Sequence, residues 1–254
     1  MVRTDNIYVN AENVYGDADT LNIQVYEDVL PASAIRSFSH YINQVTLQQT
    51  RINVEGRNFN INGSNVKLSG TAQRHNYIKI WDISDYAEYY SQTKDSIMEF
   101  YHSKLQDITP GLRQLISAID RTDIFDNGEY VALRLVVNSF PNGQCMEVHL
   151  DGDKYKINVD LETADLWSAT FYLEVPEEGG ELWFPSLGIK HKPVLNSMVI
   201  FNGNKFYHGV TEVPNTYQGH RVSITVRYAK VDDLMLPGSV DKFLYKPNLE
   251  SMIP

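Results

Sequence analysis

Residues 221–228 read Arg221-Val222-Ser223-Ile224-Thr225-Val226-Arg227-Tyr228, an alternation of polar and apolar side chains. In an extended chain successive side chains leave opposite faces, so this stretch is a strand with one face for a core and one polar face. Working back from it, short runs of similar β-rich texture occupy 130–140, 145–150, 168–175, 181–184, 197–201 and 206–213. Turn signals separate them: Pro141-Asn142-Gly143, Gly179-Gly180, Asn202-Gly203 and Gln218-Gly219. Seven or eight short strands at this spacing predict a sandwich or jelly roll.

Before Asp126-Asn127-Gly128 the texture differs. Ile35, Phe38, Tyr41, Ile42 and Val45 recur at helical steps over 28–45, with Pro31 near the start. The stretch 48–70 is rich in Asn, Gly and Arg and predicts loops with a short hairpin around Asn62-Gly63. A second helical pattern over 93–120 carries Ile97, Phe100, Tyr101 and Leu105, breaks at Pro110-Gly111, and resumes with Leu112, Leu115, Ile116 and Ile119. The expected organisation is therefore a helical and loop region over 1–125, a β core over 126–230 and an irregular cap over 231–254, packed as one compact unit.

The chain has 254 residues, 43% of them hydrophobic, enough for one large domain with a sizeable core. Its formal charge is −10, and it contains no run of Lys or Arg. Nucleic acids and anionic membranes need a basic footprint, so neither is an expected partner. Cys145 is the only cysteine, which excludes an internal disulfide and a thiolate zinc cluster. No secretory signal pattern and no apolar run of membrane-spanning length is present, so a soluble cytoplasmic protein is expected.

His149 and Asp151 stand two apart in a strand-like run, so their side chains share a face. His208 lies 57 residues beyond Asp151 (208 − 151), in another such run, and is the best candidate for a third partner. Two imidazoles and one carboxylate on one face of a metal leave three positions open, the facial triad of non-haem Fe(II) oxygenases, whose open positions take O2 and a chelating co-substrate. An H-x-D triplet alone also arises by chance among seven histidines.

Arg221, Ser223 and Thr225 put a polar face on the last strand. Inside a barrel a guanidinium needs an anion, and arginine grips a carboxylate with two parallel hydrogen bonds. The alternation does not choose which face is inside, and an Arg221 at the strand start, beside His220, pointing to water fits it as well.

Several stretches carry, in order, a resemblance to a known family. Val137-Asn138-Ser139-Phe140-Pro141 precedes His149-Leu150-Asp151. Phe171-Tyr172-Leu173-Glu174 is followed by Glu178-Gly179-Gly180-Glu181-Leu182 and Phe184-Pro185. Next come Lys192-Pro193, Met198-Val199-Ile200-Phe201, His208-Gly209-Val210 and Arg221-Val222-Ser223-Ile224-Thr225-Val226, and Leu30-Pro31 opens an early helix. In these features 130–230 resembles the catalytic core of the Fe(II)- and 2-oxoglutarate-dependent oxygenases, most of all the prolyl-hydroxylase branch.

The resemblance implies a mainly β fold with N-terminal helices and a double-stranded β-helix (jelly-roll) core. It assigns His149, Asp151 and His208 to Fe(II), and Arg221 with the Tyr172 hydroxyl to the distal carboxylate of 2-oxoglutarate. Ser223 and Thr225 would reach that carboxylate directly or through water. Two departures stand out: Phe140 replaces a tyrosine common in the branch, and the 13 residues from His208 to Arg221 (221 − 208) imply a longer hairpin. Halogenating relatives lack the carboxylate ligand, so Asp151 points to hydroxylation.

For the substrate, Arg227 shares the parity of Arg221 and Asn138 that of Phe140. A second inward arginine would suit a small molecule with a carboxylate, such as a free amino acid. Peptidyl proline is the alternative substrate by resemblance. Two other classes use the same residues differently: a zinc hydrolase on the same triad, and a non-catalytic jelly-roll binding module. His191, between Lys190 and Lys192, reads as a solvated loop residue.

Overall fold

The strand at Arg221–Lys230 runs antiparallel to the strand at Tyr130–Phe140, although they are the last and first of the β-rich region. The same inside-out pairing repeats. In chain order the eight strands are β6 (Tyr130–Phe140), β7 (Met146–His149), β8 (Trp167–Glu174), β9 (Leu182–Phe184), β10 (Ile189–His191), β11 (Met198–Asn202), β12 (His208–Val210) and β13 (Arg221–Lys230). β6 pairs with β13, β7 with β12, β8 with β11 and β9 with β10. The chain is thus a long antiparallel ribbon wound into a helix, and the pairs β13–β8 and β12–β9 join its successive turns. This is the double-stranded β-helix. A short 3-10 turn at Pro185–Leu187 closes the ribbon's far end, where Gly188 takes φ 65°, a conformation open to glycine without strain.

The computed structural model describes residues 1–8, 22–38, 59–61, 64–66, 76–81, 93–151 and 165–235. The expectation of helices and loops over 1–125 is incomplete. β1 (Val2–Tyr8), β2 (Asn22–Glu27) and β5 (Asn76–Trp81) extend the large sheet to the order β1-β2-β11-β8-β13-β6-β5, opposite the small sheet β10-β9-β12-β7. The expected hairpin is present as β3 (Phe59–Ile61) paired with β4 (Ser64–Val66). A helix occupies 32–38, and the rest of the pattern to residue 45 lies outside the described residues. The expected irregular cap begins with a short helix at Val231–Met235, and residues 236–254 lie outside the described residues.

The pattern over 93–120 forms two helices, α1 (Lys94–Asp107) and α2 (Pro110–Asp120). Thr93 caps α1 by accepting from the Ser96 N–H at 3.3 Å, and Pro110 sits where a helix's first N–H has no partner to lose. Ile97, Tyr101, Leu115, Ile116 and Ile119 pack on the outer face of the large sheet, against Leu135, Val137, Phe171, Ile224 and Val226. The inner face packs a smaller cluster of Ile23, Val25, Tyr172, Leu182, Phe184, Val199, Phe201 and Phe206. Placing the two apolar sets on opposite faces leaves the polar side of β13 inside the barrel. No described helix is long and apolar enough to cross a membrane.

Between α2 and the sheet, Asp120 accepts from the Tyr101 hydroxyl at 3.0 and 3.1 Å and from the Tyr228 hydroxyl at 2.9 Å. Burial pushes its pKa up to about 6, against the opposing pull of Tyr228 and Tyr101. The folded chain therefore holds this proton where the unfolded chain has lost it, so stability present at low pH falls as pH rises from about 4 through about 6. The loss is on the order of 3 kcal/mol. Asp120→Asn should flatten the fall of Tm across that window, measured by thermal melts at stepped pH.

Candidate metal and anion site

His208 and His149 are direct partners in the β12–β7 pairing, so both rings leave the small sheet on the same side. Their centroids are 4.5 Å apart. Asp151, one residue past the intervening Leu150, turns inward and is 1% exposed. Its Oδ1 lies 3.8 Å from His149 Nε2 and 3.7 Å from His208 Nε2, and one donor atom from each residue lies within 4.8 Å of the others.

The hydrogen bonds behind the rings decide which nitrogens are offered. His149 Nδ1 lies 2.8 Å from the Glu147 carbonyl, and His208 Nδ1 lies 2.9 Å from the Phe206 carbonyl. A carbonyl only accepts, so each Nδ1 carries a proton, and each Nε2 faces Asp151. Neutral imidazoles with Nδ1–H fixed to an acceptor are the form in which histidine binds a metal.

Asp151 is held from three sides. The Ser168 hydroxyl donates to Oδ2 at 2.5 Å, and the Arg227 guanidinium donates to Oδ1. The Asp151 N–H donates to the Gly203 carbonyl at 2.9 Å. Burial alone would raise its pKa, but the Arg227 charge, with His208, Ser168 and His149, holds it well below the usual carboxylate range. The carboxylate is therefore an anion without the metal, ready to bind a cation.

The other end of the polar face carries Arg221, 1% exposed and set between the rings of Phe140 and Tyr172, each 5.1 Å from its guanidinium carbon. Its Nε donates to the Gly180 carbonyl at 2.7 Å and one terminal nitrogen to Ser223 Oγ at 3.2 Å. Burial pushes the guanidinium pKa down, opposed by Tyr172. Among the described residues no carboxylate comes within ion-pairing distance of it. The Tyr172 hydroxyl, fully buried, has no partner at hydrogen-bonding geometry, and burial pushes its pKa up. A buried cation with unspent donors beside an orphaned hydroxyl is a site built for an anion.

Of the residues expected from the sequence, His149, Asp151 and His208 converge, and Arg221, Tyr172 and Ser223 meet at the other end. Thr225 lies on the same face but bonds Asn138 Nδ2 at 3.2 Å and Thr170 Oγ1 at 3.3 Å, not Arg221. Arg227 faces inward, on the same side as Arg221, and is paired with Asp151. His220 bonds Ser139 Oγ at 2.9 Å through its ring. His191 is a correction: it ends β10, is half-buried, and stacks near Tyr172 with centroids 6.3 Å apart, because the alternation of that short strand outweighs its flanking lysines.

Ser168 and Gly203 were not legible as site residues. Ser168 begins an apolar strand and reads as filler, and Asn202-Gly203 reads as a turn. Yet a Cβ on Gly203 would lie 2.2 Å from Asp151 Oδ2 and 2.9 Å from its Cβ and Cγ.

No family model matches the chain, and no curated protein is significantly similar to it. Solved structures with a similar fold include the viral collagen prolyl hydroxylase of Paramecium bursaria Chlorella virus-1 in its 2OG complex, at TM-score 0.45 and 16% identity over 82% of this chain and 96% of that one. A Pseudomonas putida prolyl-4-hydroxylase gives 0.48 and 19% over 82% and 91%. HygX of Streptomyces hygroscopicus, with nickel, 2-oxoglutarate and hygromycin B bound, gives 0.47 and 13% over 84% of each chain.

Gly203→Ala tests the cradle. The added methyl must displace the carboxylate, and affinity for Co(II) or Mn(II), measured by titration calorimetry, should fall about 10- to 100-fold while the far-ultraviolet dichroism is unchanged.

Proposed function

We propose that the protein is an Fe(II)- and 2-oxoglutarate-dependent oxygenase that hydroxylates a C–H bond of a small, amino-acid-like acid. The observation that carries this reading is that three convergent ligand atoms brought by the small sheet share the barrel interior with a buried guanidinium on β13 that has no carboxylate partner among the described residues. His149 Nε2, Asp151 Oδ1 and His208 Nε2 would hold the metal. Arg221, Ser223 and the Tyr172 hydroxyl would take the distal carboxylate of the keto acid. Bound there, the metal with O2 supplies the oxidising chemistry, and the keto acid leaves as succinate and CO2.

The chain's own residues do the positioning. Nδ1–H bonds to main-chain carbonyls fix both ring orientations and aim both Nε2 atoms inward. Ser168 and Arg227 keep Asp151 ionised and fix its rotamer. Phe140 and Tyr172 wall the Arg221 end from water, so each hydrogen bond there acts in a low-dielectric surround. A zinc hydrolase would use the same triad but gives the buried Arg221 and the Tyr172 hydroxyl nothing to bind.

The finer reading of the substrate is supported by Arg227 and by Arg134, directly opposite it on β6 and facing the same side of the sheet. A metal bound to Asp151 Oδ1 would add two positive charges beside Arg227, and a substrate carboxylate would offset part of that excess. Asn138, 8% exposed on the same face, would line the approach.

With Fe(II) and 2-oxoglutarate, succinate formation should rise on addition of a free amino acid from a panel that also contains proline peptides. His149→Ala and Asp151→Ala should abolish it, and Arg221→Gln should raise the KM for 2-oxoglutarate about 10- to 100-fold. Turnover coupled to peptides alone would overturn the small-molecule substrate. Hydrolysis under zinc, with no keto acid consumed under any condition, would overturn the oxygenase itself.

A further inference from the structure

The turn at residues 202–206 stands behind two of the three candidate ligands. Its Gly203 carbonyl accepts from the Asp151 N–H at 2.9 Å, and its Phe206 carbonyl accepts from His208 Nδ1 at 2.9 Å. What holds the turn is Asn202, 2% exposed. Its Oδ1 accepts from the N–H groups of Asn204 and Lys205, each at 3.1 Å. Its main-chain carbonyl accepts from the N–H groups of Lys205 at 3.3 Å and Phe206 at 3.2 Å.

The side-chain amide is itself oriented from outside the turn. Asn202 Nδ2 donates to Asp165 Oδ1 at 2.8 Å, and Asp165 Oδ2 accepts from the Tyr130 hydroxyl at 2.6 Å, with Lys230 Nζ 4.0 Å away. Asp165 sits just ahead of β8, and the neighbouring Leu166 carbonyl accepts from the Gly203 N–H at 2.9 Å. With a carboxylate on one side and two N–H donors on the other, the amide has only one orientation that satisfies every partner.

We propose that Asp165 and Asn202 are positioning residues of the metal site: they fix the 202–206 turn and, through Gly203 and Phe206, the directions of Asp151 and His208. This rests on reading His149, Asp151 and His208 as metal ligands. Neither residue touches the metal position. His149, whose Nδ1 bonds within its own strand, is outside their reach. The two ligands they govern come from different parts of the chain, so one turn sets the angle between them.

The test exploits the polarity of the Asn202–Asp165 bond. Asn202→Asp sets two carboxylates against each other while keeping an acceptor for the turn. Adding Asp165→Asn restores the bond with donor and acceptor exchanged, and the new amide oxygen still accepts from Tyr130. Co(II) affinity by calorimetry and the visible spectrum of the Co(II)-loaded protein are read beside the Tm of the metal-free chain. Asn202→Asp should weaken Co(II) binding about tenfold or more and change the spectrum, and the double variant should recover both. Asp165→Asn alone, the milder change, should weaken binding severalfold and serves if Asn202→Asp does not fold.

Single variants that bind Co(II) like the wild type would overturn the proposal, as would a double variant that recovers Tm but not affinity. A wild-type chain that takes up no Co(II) would instead overturn the reading of the three ligands.

Discussion

The direct pairing of His208 with His149 across β12 and β7 is the constraint on which the site depends. Side chains opposite each other in an antiparallel pair leave the sheet on one side, and a slip of one residue would send one ring outward. The register is held by burial. Val210, on the same side as His208, packs with Phe140 and Val213 and could not turn outward without exposing that cluster. Gly209 lies where a Cβ would come within 2.8 Å of the Met146 carbonyl, so the two strands approach closely beside the ligands. The ligand geometry is thus a consequence of core packing, and the imidazoles need no attraction to each other to stay together.

A barrel interior lined partly by Arg221, Ser223, Thr225 and Arg227 is expensive, because each polar group gives up water. Most of that cost is offset internally. Arg227 is paired with Asp151, and Thr225 bonds Asn138 and Thr170 across three strands. Arg221 is the exception, satisfied at Nε and one terminal nitrogen only, with aromatic faces on both sides. A folded protein that retains a partly satisfied buried cation next to an orphaned hydroxyl has placed a polar deficit where a ligand can fill it.

The β core was legible because its strands are short, well punctuated and alternating: 130–140 and 221–228 match β6 and β13 closely, and the two-residue step from His149 to Asp151 gave a shared face. The strands β1, β2 and β5 were not: Asn22-Ile23-Gln24-Val25 and Ile78-Lys79-Ile80 alternate only over a few residues, and the place of all three in the sheet is set by partners, most of them far along the chain. β10 escaped for a related reason: three residues with a half-buried histidine between lysines look like a loop, and only pairing to β9 makes them a strand. Ser168, Gly203 and Asp165 act through bonds to residues 17 or more positions away, and so does the Asn202 amide that orients the turn, and no local pattern records such bonds.

Arg221 and Arg227 show how one strand face can carry two different electrostatic tasks. Both belong to a single period-two pattern, and neither differs in type. What separates them is what the opposite sheet brings. At the Arg227 end the chain leaving β7 delivers Asp151, so the guanidinium is neutralised before any ligand arrives and its charge is used to keep the carboxylate ionised. At the Arg221 end the facing chain delivers a Gly180 carbonyl and no acid, so the charge remains for a ligand to match. A cation bound at Asp151 would reverse the first balance without touching the second, leaving both ends of the face in need of negative charge. Under the proposed function a keto diacid would meet both needs with one molecule, Arg221 supplying the charge that its distal carboxylate would match.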